Sequence, residues 1–562
     1  MVRFDEISAP APKLEELAAR YAGFQARIIA ADDAEACVAV IREWDDCLRE
    51  LDSWQALVHL RFNQDTTNPD YKKARDACDE ISPKLTDLAV KLKRMILESP
   101  YCEGIANEFG ATAPGLWRAH VTTFDPAIES DLVAESRLEA EYVELTASAE
   151  IPLRGRVYNL AEIQKFSQMQ DRDLRHEARK ATWQWFADNG GALDRNFDEL
   201  VRLRTGMAGK LGFDNFIGLG YQRMCRVDYN RDDVDRFRSA VREHIVPLAG
   251  ELRRKQAERL GLDRVCEWDL AVQDLRENPK PLGDHDWMLD RAQEMFDEMD
   301  SELGSFFRLM RDSQLMDLKN RKGKAGGGFC TSFPGYGVPY IFANFNGTKG
   351  DVEVFTHEMG HAYQVFQSRN QPLIDYLWPT MESCEIHSMS LEFLSWPHME
   401  KFFGGEAERF RQIHLSEALL FLPYGAAIDH FQHLVYENHD ATPSQRHGMW
   451  LEVEKMYLPD RDYGDMEYPA GGGRWQLQRH VYLNPFYYID YVLAQTCALQ
   501  FWARSRDDYE DALKAYNALC RRGGELPFKE LAASAGLQSP FRSDSLEKAV
   551  SLARATLGAN RP

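Results

Sequence analysis

Apolar residues recur at helical spacing through most of this chain, and this pattern limits its fold more than any other feature. Between residues 31 and 59, for example, they stand at Ile41, Trp44, Leu48 and Leu51, three or four positions apart. Side chains at that spacing share one face of an α-helix. The same pattern occupies residues 71–97, 129–148, 167–186, 193–211, 232–260, 287–309, 351–367, 380–396 and 406–421. The sequence therefore predicts a mainly α fold.

Two stretches break the helical pattern. Residues 151–160 have the composition of extended chain and contain Pro152 and Gly155. Residues 321–348 are rich in Gly, Pro and aromatic residues, and their core at 339–345 resembles a β-strand. We therefore expect a small amount of β structure near residues 320–350.

The length of 562 residues is several times the roughly 100–200 residues of an ordinary domain. It predicts two or more domains, or one unusually large domain. No Pro-rich or Ser-rich linker separates the helices. We place a domain boundary near residue 190, where the residues with candidate chemistry begin to follow. That boundary divides a helical N-terminal region, 1–190, from the region 191–562, which holds the chemical motifs.

The acidic composition excludes some partners. With 67 Lys and Arg against 89 Asp and Glu, the net charge is −22. Nucleic acids and anionic lipids attract basic surfaces, so neither is an expected partner. The longest uncharged run, 325–348, carries Gly and Pro residues that do not suit a lipid-facing helix.

The beginning of the chain and its cysteines suggest a compartment. The first residues are acidic and lack the apolar segment of a signal peptide. The ten cysteines are scattered and include no Cys-x-x-Cys pair. We therefore expect a cytoplasmic protein with free thiols.

The segment His357-Glu358-Met359-Gly360-His361 is the strongest functional signal. On a helix, residues four positions apart lie on one face, about 6 Å apart along the axis. Two imidazoles so placed can bind one zinc ion, and Glu358 can act as a base toward its water. Asp351 as an N-cap and the apolar residues around the motif favour such a helix. Two exposed histidines without a function are the alternative interpretation.

A catalytic zinc site needs a third protein ligand beside an open position. Spacing alone does not choose this ligand, and residues 373–396 contain no Lys or Arg. Acidic side chains among apolar residues are costly to bury without a cation, so a metal ion is the favoured compensation. The candidates are Glu382, Glu385, His387 and Glu392.

These residues resemble the thimet-oligopeptidase-like zinc peptidases, most closely the oligoendopeptidase F branch. The resemblance extends over residues 150–560, whereas the N-terminal part is similar only in its helical character. The matching stretches are 344–348 (Asn-Phe-Asn-Gly-Thr), 357–361, 382–389 (Glu-Ser-Cys-Glu-Ile-His-Ser-Met) and 480–491.

The resemblance implies a large two-lobed helical molecule with a deep central channel and a small β-sheet near the metal. It also implies one zinc ion held by His357, His361 and Glu385. Glu382 and Glu392 match neighbouring acids that would support the ligands. The family places a His and tyrosines near the metal, and their counterparts are His480 and Tyr491, with Tyr487 and Tyr488 as further candidates.

The activity that this resemblance implies is hydrolysis of internal bonds in short, unfolded peptides. Ala343, Asn344 and Phe345 would pair with the substrate backbone, and Gly472 lies in a Gly-rich loop that would close over it. A metallocarboxypeptidase or dipeptidyl carboxypeptidase would use the same ligands. A non-catalytic peptide-binding protein is a weaker alternative, because the motif residues are intact. Cobalt or manganese could bind, but zinc is the default metal. The oligomeric state stays open.

Overall fold

A computed structural model describes residues 2–321, 323–542 and 544–558 of the chain. The chain is 72% helical, which confirms the predicted mainly α fold. Within these ranges, every helix is too short or too polar to span a bilayer. The first helices are α1 (Leu14–Ala30), α2 (Ala34–Gln64), α3 (Pro69–Glu98), α4 (Cys102–Phe109), α5 (Thr112–Thr122) and α6 (Glu129–Ala147).

The middle of the chain begins with an antiparallel hairpin and ends with a three-stranded sheet. The hairpin consists of β1 (Ile151–Leu153) and β2 (Arg156–Tyr158), where extended chain is predicted. The helices that follow are α7 (Leu160–Ile163), α8 (Arg172–Lys210), α9 (Phe216–Arg223), α10 (Arg231–Ala240), α11 (Val246–Leu260), α12 (His285–Met299) and α13 (Ser301–Asp312). The strands of the sheet are β3 (Met316–Lys319), β4 (Phe329–Phe333) and β5 (Val338–Phe345).

The rest of the chain is helical and supplies most of the residues with candidate chemistry. Its longer helices are α14 (Lys349–Gln367), α15 (Met381–Leu394), α17 (Ala407–Glu437), α18 (Pro443–Tyr457), α21 (Tyr488–Asp507), α22 (Tyr509–Arg522) and α24 (Ser545–Gly558). Its shorter helices are α16 (Glu400–Phe403), α19 (Glu467–Ala470), α20 (Arg479–Leu483) and α23 (Phe528–Ser534).

Two predicted helix boundaries differ from the structure for local reasons. Asp300 accepts the backbone N–H groups of Glu302 and Leu303, and so begins α13 inside the segment predicted as one helix, 287–309. Residues 167–211, predicted as two helices, contain the single helix α8. Gly190 lies within α8, where a Cβ would come 2.8 Å from the hydroxyl of Tyr468. This glycine therefore serves close packing and does not end a helix.

The two largest of the three hydrophobic cores in the described chain correspond to the two lobes. The smaller of these two joins α1–α5, and the larger draws mainly on α8–α24. Tyr376 belongs to the smaller core, and its hydroxyl donates to the carbonyl of Phe109 at 2.8 Å. The segment between α14 and α15 therefore connects the lobes. The boundary proposed near residue 190 falls within α8 and stays a prediction.

The central strand of the three-stranded sheet is β5. It pairs in parallel with β3, where Met316 lies opposite Ile341, and antiparallel with β4, where Phe329 lies opposite Phe342. The strand predicted at 339–345 is confirmed, and residues 338–342 of β5 have partners in β4 on one side. Because β3 lies on the other side, a substrate strand has no free edge along 339–342, and that part of the predicted pairing is wrong. Residues 343–345 lie beyond the last partner in β4, and their pairing with a substrate stays a prediction.

Candidate metal centre

Helix α14 carries the His-Glu-x-x-His motif and follows β5 after a short loop. Thr348 is its N-cap residue, so the prediction of Asp351 in that position is wrong. Asp351 lies in the first turn, where its carboxylate accepts the N–H groups of Asn346 at 2.9 Å and Gly347 at 2.7 Å. These bonds tie the loop to the helix and fix the direction in which α14 leaves the sheet.

The close packing of α14 against α15 brings the two parts of the site together. A Cβ built on Gly360 would lie 2.6 Å from the carbonyl oxygen of His387 and 2.6 Å from Cα of Ser388. No larger residue fits there without separating the helices. Gly360, inside the motif, therefore allows the approach that places α15 beside both histidines.

His357, His361 and Glu385 converge where the two helices meet. Oε2 of Glu385 lies 3.2 Å from Nε2 of His357 and 3.4 Å from Nε2 of His361. One donor atom from each residue lies within 4.8 Å of the other two. Two imidazole nitrogens and one carboxylate oxygen form the protein donor set of many catalytic zinc sites. The residues present therefore fit a zinc ion.

Glu392 holds His357 from the side opposite Glu385. Its two oxygens lie 2.7 Å from Nδ1 of His357 and 2.7 Å from Nε2 of His414. Trp396 donates its ring N–H to Nδ1 of His414 at 3.0 Å, so the N–H of a neutral His414 points at Glu392. A ligand histidine held through one nitrogen presents the other to a metal. Glu392 therefore lies where its predicted supporting role requires it.

Hydrogen bonds and burial set the charges of this cluster. Burial lowers the pKa of His357, but its bonds to Glu385 and Glu392 outweigh this and raise it well above the ordinary value. Burial raises the pKa of Glu385, but His361 and His357 hold it well below its usual range. Despite burial, the bonds from His357 and His414 lower the pKa of Glu392 to about 2. Two ionised carboxylates therefore lie beside the histidines and favour a cation there.

Glu358 borders the same cluster. It is buried, and its Oε2 has no hydrogen-bond partner among the described residues. Burial raises its pKa, and the charges of Glu385 and Glu392 add to this although the two histidines oppose it. A Cβ built on Gly328 would lie 3.3 Å from Oε1 of Glu358, so the chain entering β4 runs beside this carboxylate. A carboxylate so placed can exchange a proton with a bound water or a leaving group.

Glu382 lies one turn before Glu385 but has other partners. Its Oε1 accepts the hydroxyl of Thr380 at 2.9 Å. Burial and the charge of Asp490 raise its pKa to about 8, although Arg226 opposes the shift, so Glu382 is mostly protonated near neutral pH. Its predicted place among the supports of the metal ligands stays a prediction.

His480 and three tyrosines at the start of α21 form an aromatic cluster. The centroid of the His480 ring lies 5.6 Å from that of Tyr487, 5.1 Å from that of Tyr488 and 5.8 Å from that of Tyr491. Gln478 donates to Nδ1 of His480 at 2.8 Å. Burial lowers the pKa of His480 to about 4, so the ring is neutral near pH 7 and carries its proton on Nε2.

The three tyrosines differ in what they touch. The hydroxyl of Tyr487 donates to Oε1 of Glu385 at 2.5 Å, so this tyrosine contacts a candidate ligand. Tyr491 lies beside it, with ring centroids 4.8 Å apart. Tyr488 packs against the rings of Phe421 and Tyr424. Tyr487, left open by sequence, is thus the member of the cluster that holds Glu385.

We predict that Tyr487→Phe weakens zinc binding by about 10- to 100-fold, the usual cost of losing a partner that orients a metal ligand. The ring stays in place, and only the hydroxyl that fixes Glu385 is removed. Competition with a chromogenic chelator measures the zinc dissociation constant. Tyr488→Phe is the matched control and should leave that constant within about twofold; unchanged binding in Tyr487→Phe would contradict the assignment.

The predicted substrate residues make contacts within the protein. The carbonyl of Ala343 accepts from Lys324 at 2.5 Å, and the amide of Asn344 donates to the carbonyls of Ala325 and Gly327. These bonds hold the Gly-rich loop that leads to β4. Substrate contact by Ala343, Asn344 and Phe345 stays a prediction.

Packing explains the glycine at position 472. Its φ is +96°, and a Cβ there would lie 2.4 Å from the carbonyl oxygen of His447. The residue is buried. A role of Gly472 in closing over a substrate stays a prediction.

Sequence analysis did not find His414 or Trp396. Both act on the site through Glu392, and neither lies in a motif with metal-ligand spacing. The only available signal was that Glu392, an acidic residue in a segment without Lys or Arg, needs a partner from another helix.

Two family models match the chain. The model of peptidase family M3 matches residues 165–551, and that of the peptidase M3 N-terminal domain matches residues 4–124. No curated protein sequence matches the chain.

Solved structures resemble the chain over its full length. One is PZ peptidase A with an inhibitor, with a TM-score of 0.97, 42% identity and coverage of 99% of both chains. A second, given the name oligoendopeptidase F, has a TM-score of 0.97 and 43% identity, with coverage of 100% of this chain and 99% of that one. A third, given the same name and from Bacillus anthracis str. Ames, has a TM-score of 0.92 and 39% identity, with coverage of 100% and 98%.

Proposed function

Because the chain belongs to peptidase family M3, on its oligoendopeptidase F branch, we propose that it is a zinc-dependent endopeptidase that cuts internal bonds of short, unfolded peptides. The family makes it a metalloendopeptidase. The observation that carries the zinc proposal is the convergence of His357, His361 and Glu385 beside the buried carboxylate of Glu358.

In this proposal His357, His361 and Glu385 hold one zinc ion. When bound, zinc supplies Lewis-acid chemistry: it polarises the scissile carbonyl and lowers the pKa of a water toward about 7. Glu392 keeps Nε2 of His357 directed at the metal position, and Tyr487 orients Glu385 through its other oxygen.

Glu358 is the proposed general base. Its unpartnered Oε2 takes a proton from the attacking water and later gives that proton to the leaving amine. A raised pKa suits both steps, because a carboxylate that holds a proton more tightly is a better base toward water. Burial also keeps bulk water from competing for this proton.

Tyr491 and His480 are the proposed donors to the negative oxygen that forms on the scissile carbonyl. His480 carries an N–H on Nε2, and the Tyr491 hydroxyl belongs to the same cluster. Burial raises the pKa of Tyr491 well above its ordinary value, with a further contribution from Glu385, so its hydroxyl remains a donor.

We predict that Tyr491→Phe lowers kcat by about 10²- to 10³-fold, as the loss of an oxyanion donor does elsewhere. Steady-state kinetics on a fluorogenic peptide measure the change, and thermal unfolding should shift little because the ring remains. If kcat were equal to that of the unchanged protein, Tyr491 would not be an oxyanion donor, and its ring would serve only packing.

The outer edge of β4 is a further proposed site for the substrate backbone, because residues 338–342 of β5 lie between β4 and β3. Strand β4 is paired on one side by β5, it begins beside Gly328, and Gly328 borders Glu358. A peptide added to that edge would lie next to the proposed base. Pairing through backbone groups accepts many side chains, which suits a peptidase of broad specificity.

A peptide blocked at its C-terminus tests the proposed endopeptidase activity. An endopeptidase cuts it at internal bonds, and mass spectrometry identifies the two fragments. The same peptide with a free C-terminus is the comparison. A metallocarboxypeptidase or dipeptidyl carboxypeptidase would leave the blocked peptide intact and shorten only the peptide with the free C-terminus. Absence of cleavage of both peptides by the zinc-loaded protein would favour a non-catalytic peptide-binding role.

A further inference from the structure

Phe486, the residue before Tyr487, has an uncommon backbone conformation. Its φ is +67°, and it is one of four non-glycine residues with positive φ in the described chain. A bulky residue in this region is a genuine outlier, and such outliers persist only where the surroundings enforce them. A second outlier, Cys225 with φ of +53°, directly precedes the residue that contacts Phe486.

Two buried side chains hold the backbone of Phe486 from opposite sides. The amide oxygen of Gln432, in α17, accepts the N–H of Phe486 at 2.9 Å. The guanidinium of Arg226 donates to the carbonyl of Phe486 at 2.6 Å. Both polar groups of this strained residue are thus fixed by side chains distant in sequence.

The ring of Phe486 is also confined. It is fully buried, with centroids 5.7 Å from the ring of Tyr221 and 5.5 Å from that of Tyr436. A Cβ built on Gly220 would lie 2.6 Å from this ring, so α9 approaches it as closely as a glycine permits. Ring packing anchors the side chain, and the two hydrogen bonds set the orientation of its peptide groups.

Arg226 also holds the first turn of α21. The nitrogen that reaches Phe486 also donates to Oδ1 of Asp490 at 2.6 Å. Asp490 and Phe486 lie on either side of Tyr487 and Tyr488 in sequence. Arg226 therefore bridges the two ends of the segment from which the Tyr487 hydroxyl reaches Glu385.

We propose that Gln432 and Arg226 are positioning residues that fix the strained backbone at Phe486, direct the Tyr487 hydroxyl at Glu385, and so set the zinc affinity of the site. This inference rests on the proposed function, because it assumes that Glu385 binds zinc. Neither residue touches the cluster of metal donors. Both act through the chain that carries Tyr487.

A double-mutant cycle tests this inference. Gln432→Met keeps the size of the side chain but removes the acceptor of the Phe486 N–H. We expect it to weaken zinc binding by about tenfold, the lower end of the range for partners of metal ligands. In the Tyr487→Phe background, where the hydroxyl is already absent, the same substitution should change zinc affinity by less than about twofold.

Two further variants complete the design. Gln256→Met is the matched control, since Gln256 is a fully buried glutamine whose amide donates to the carbonyls of Asp269 and Val272. It should lower the melting temperature without changing zinc affinity. Arg226→Lys keeps a positive charge beside Asp490. It is the alternative test variant if Gln432→Met does not fold. Its effect on zinc binding should likewise disappear in the Tyr487→Phe background.

The outcomes separate this inference from the proposed function. Unchanged zinc affinity in both Gln432→Met and Arg226→Lys would overturn the inference, as would a loss of the same size with and without the Tyr487 hydroxyl. If the unchanged protein binds no zinc, the proposed function itself fails. Coupling of Gln432 to Tyr487, with no effect of Gln256→Met, supports the inference.

Discussion

Glu358→Gln is expected to abolish peptide cleavage while leaving zinc bound. The amide has the shape of the carboxylate but cannot take a proton from water, so the step assigned to Oε2 is lost. General-base catalysis contributes about 10²- to 10⁴-fold, and we expect kcat to fall by at least that factor. Zinc content should remain one ion per chain, because the donors are His357, His361 and Glu385.

The experiment measures kcat on a blocked peptide together with metal content. Glu408→Gln is the control, since Glu408 is an exposed glutamate of α17 paired with Arg411 at the surface. It should behave like the unchanged protein. If Glu358→Gln retained normal turnover with zinc bound, the proposed base would be wrong.

Glu385→Ala is expected to lose the metal itself. It removes one of the three donors and leaves His357 and His361 without the carboxylate that lies within 3.4 Å of both. The drop in zinc affinity should exceed the roughly 10- to 100-fold cost of losing a partner of a ligand. Cleavage should fall with metal content and recover only in part at high zinc.

Glu382→Gln, one turn earlier on the same helix, is the matched control. Its pKa of about 8 means that the side chain is mostly protonated near neutral pH, so glutamine resembles the form already present. Zinc content should be unchanged. A fully loaded Glu385→Ala protein, or loss of zinc from Glu382→Gln, would show that the third ligand is wrongly chosen.

Periodicity was sufficient to predict the helical fold, because side chains on a buried helical face must recur every three to four residues. Periodicity did not predict the helix boundaries that depend on the tertiary packing of a glycine or on a capping side chain. Gly190 lies inside α8 because it packs against Tyr468, and Asp300 begins a new helix within an unbroken apolar pattern. Strand β3 is only four residues long, too short for a distinct pattern.

The site was predictable where neighbours in sequence are also neighbours in space. His357, Glu358 and His361 share one helix, so their spacing sufficed. The choice among the acids of α15 depends on how this helix crosses α14, which the packing at Gly360 determines. Spacing left that choice open, and it was the family resemblance that selected Glu385.

Removal and return of the metal tests the central claim most directly. The protein is stripped with a chelator, its residual zinc is measured, and zinc is titrated back while cleavage of a C-terminally blocked peptide is followed. The account predicts no internal cleavage by the stripped protein and full recovery at one zinc ion per chain. Internal cleavage by the metal-free protein, or no recovery with zinc, would contradict it.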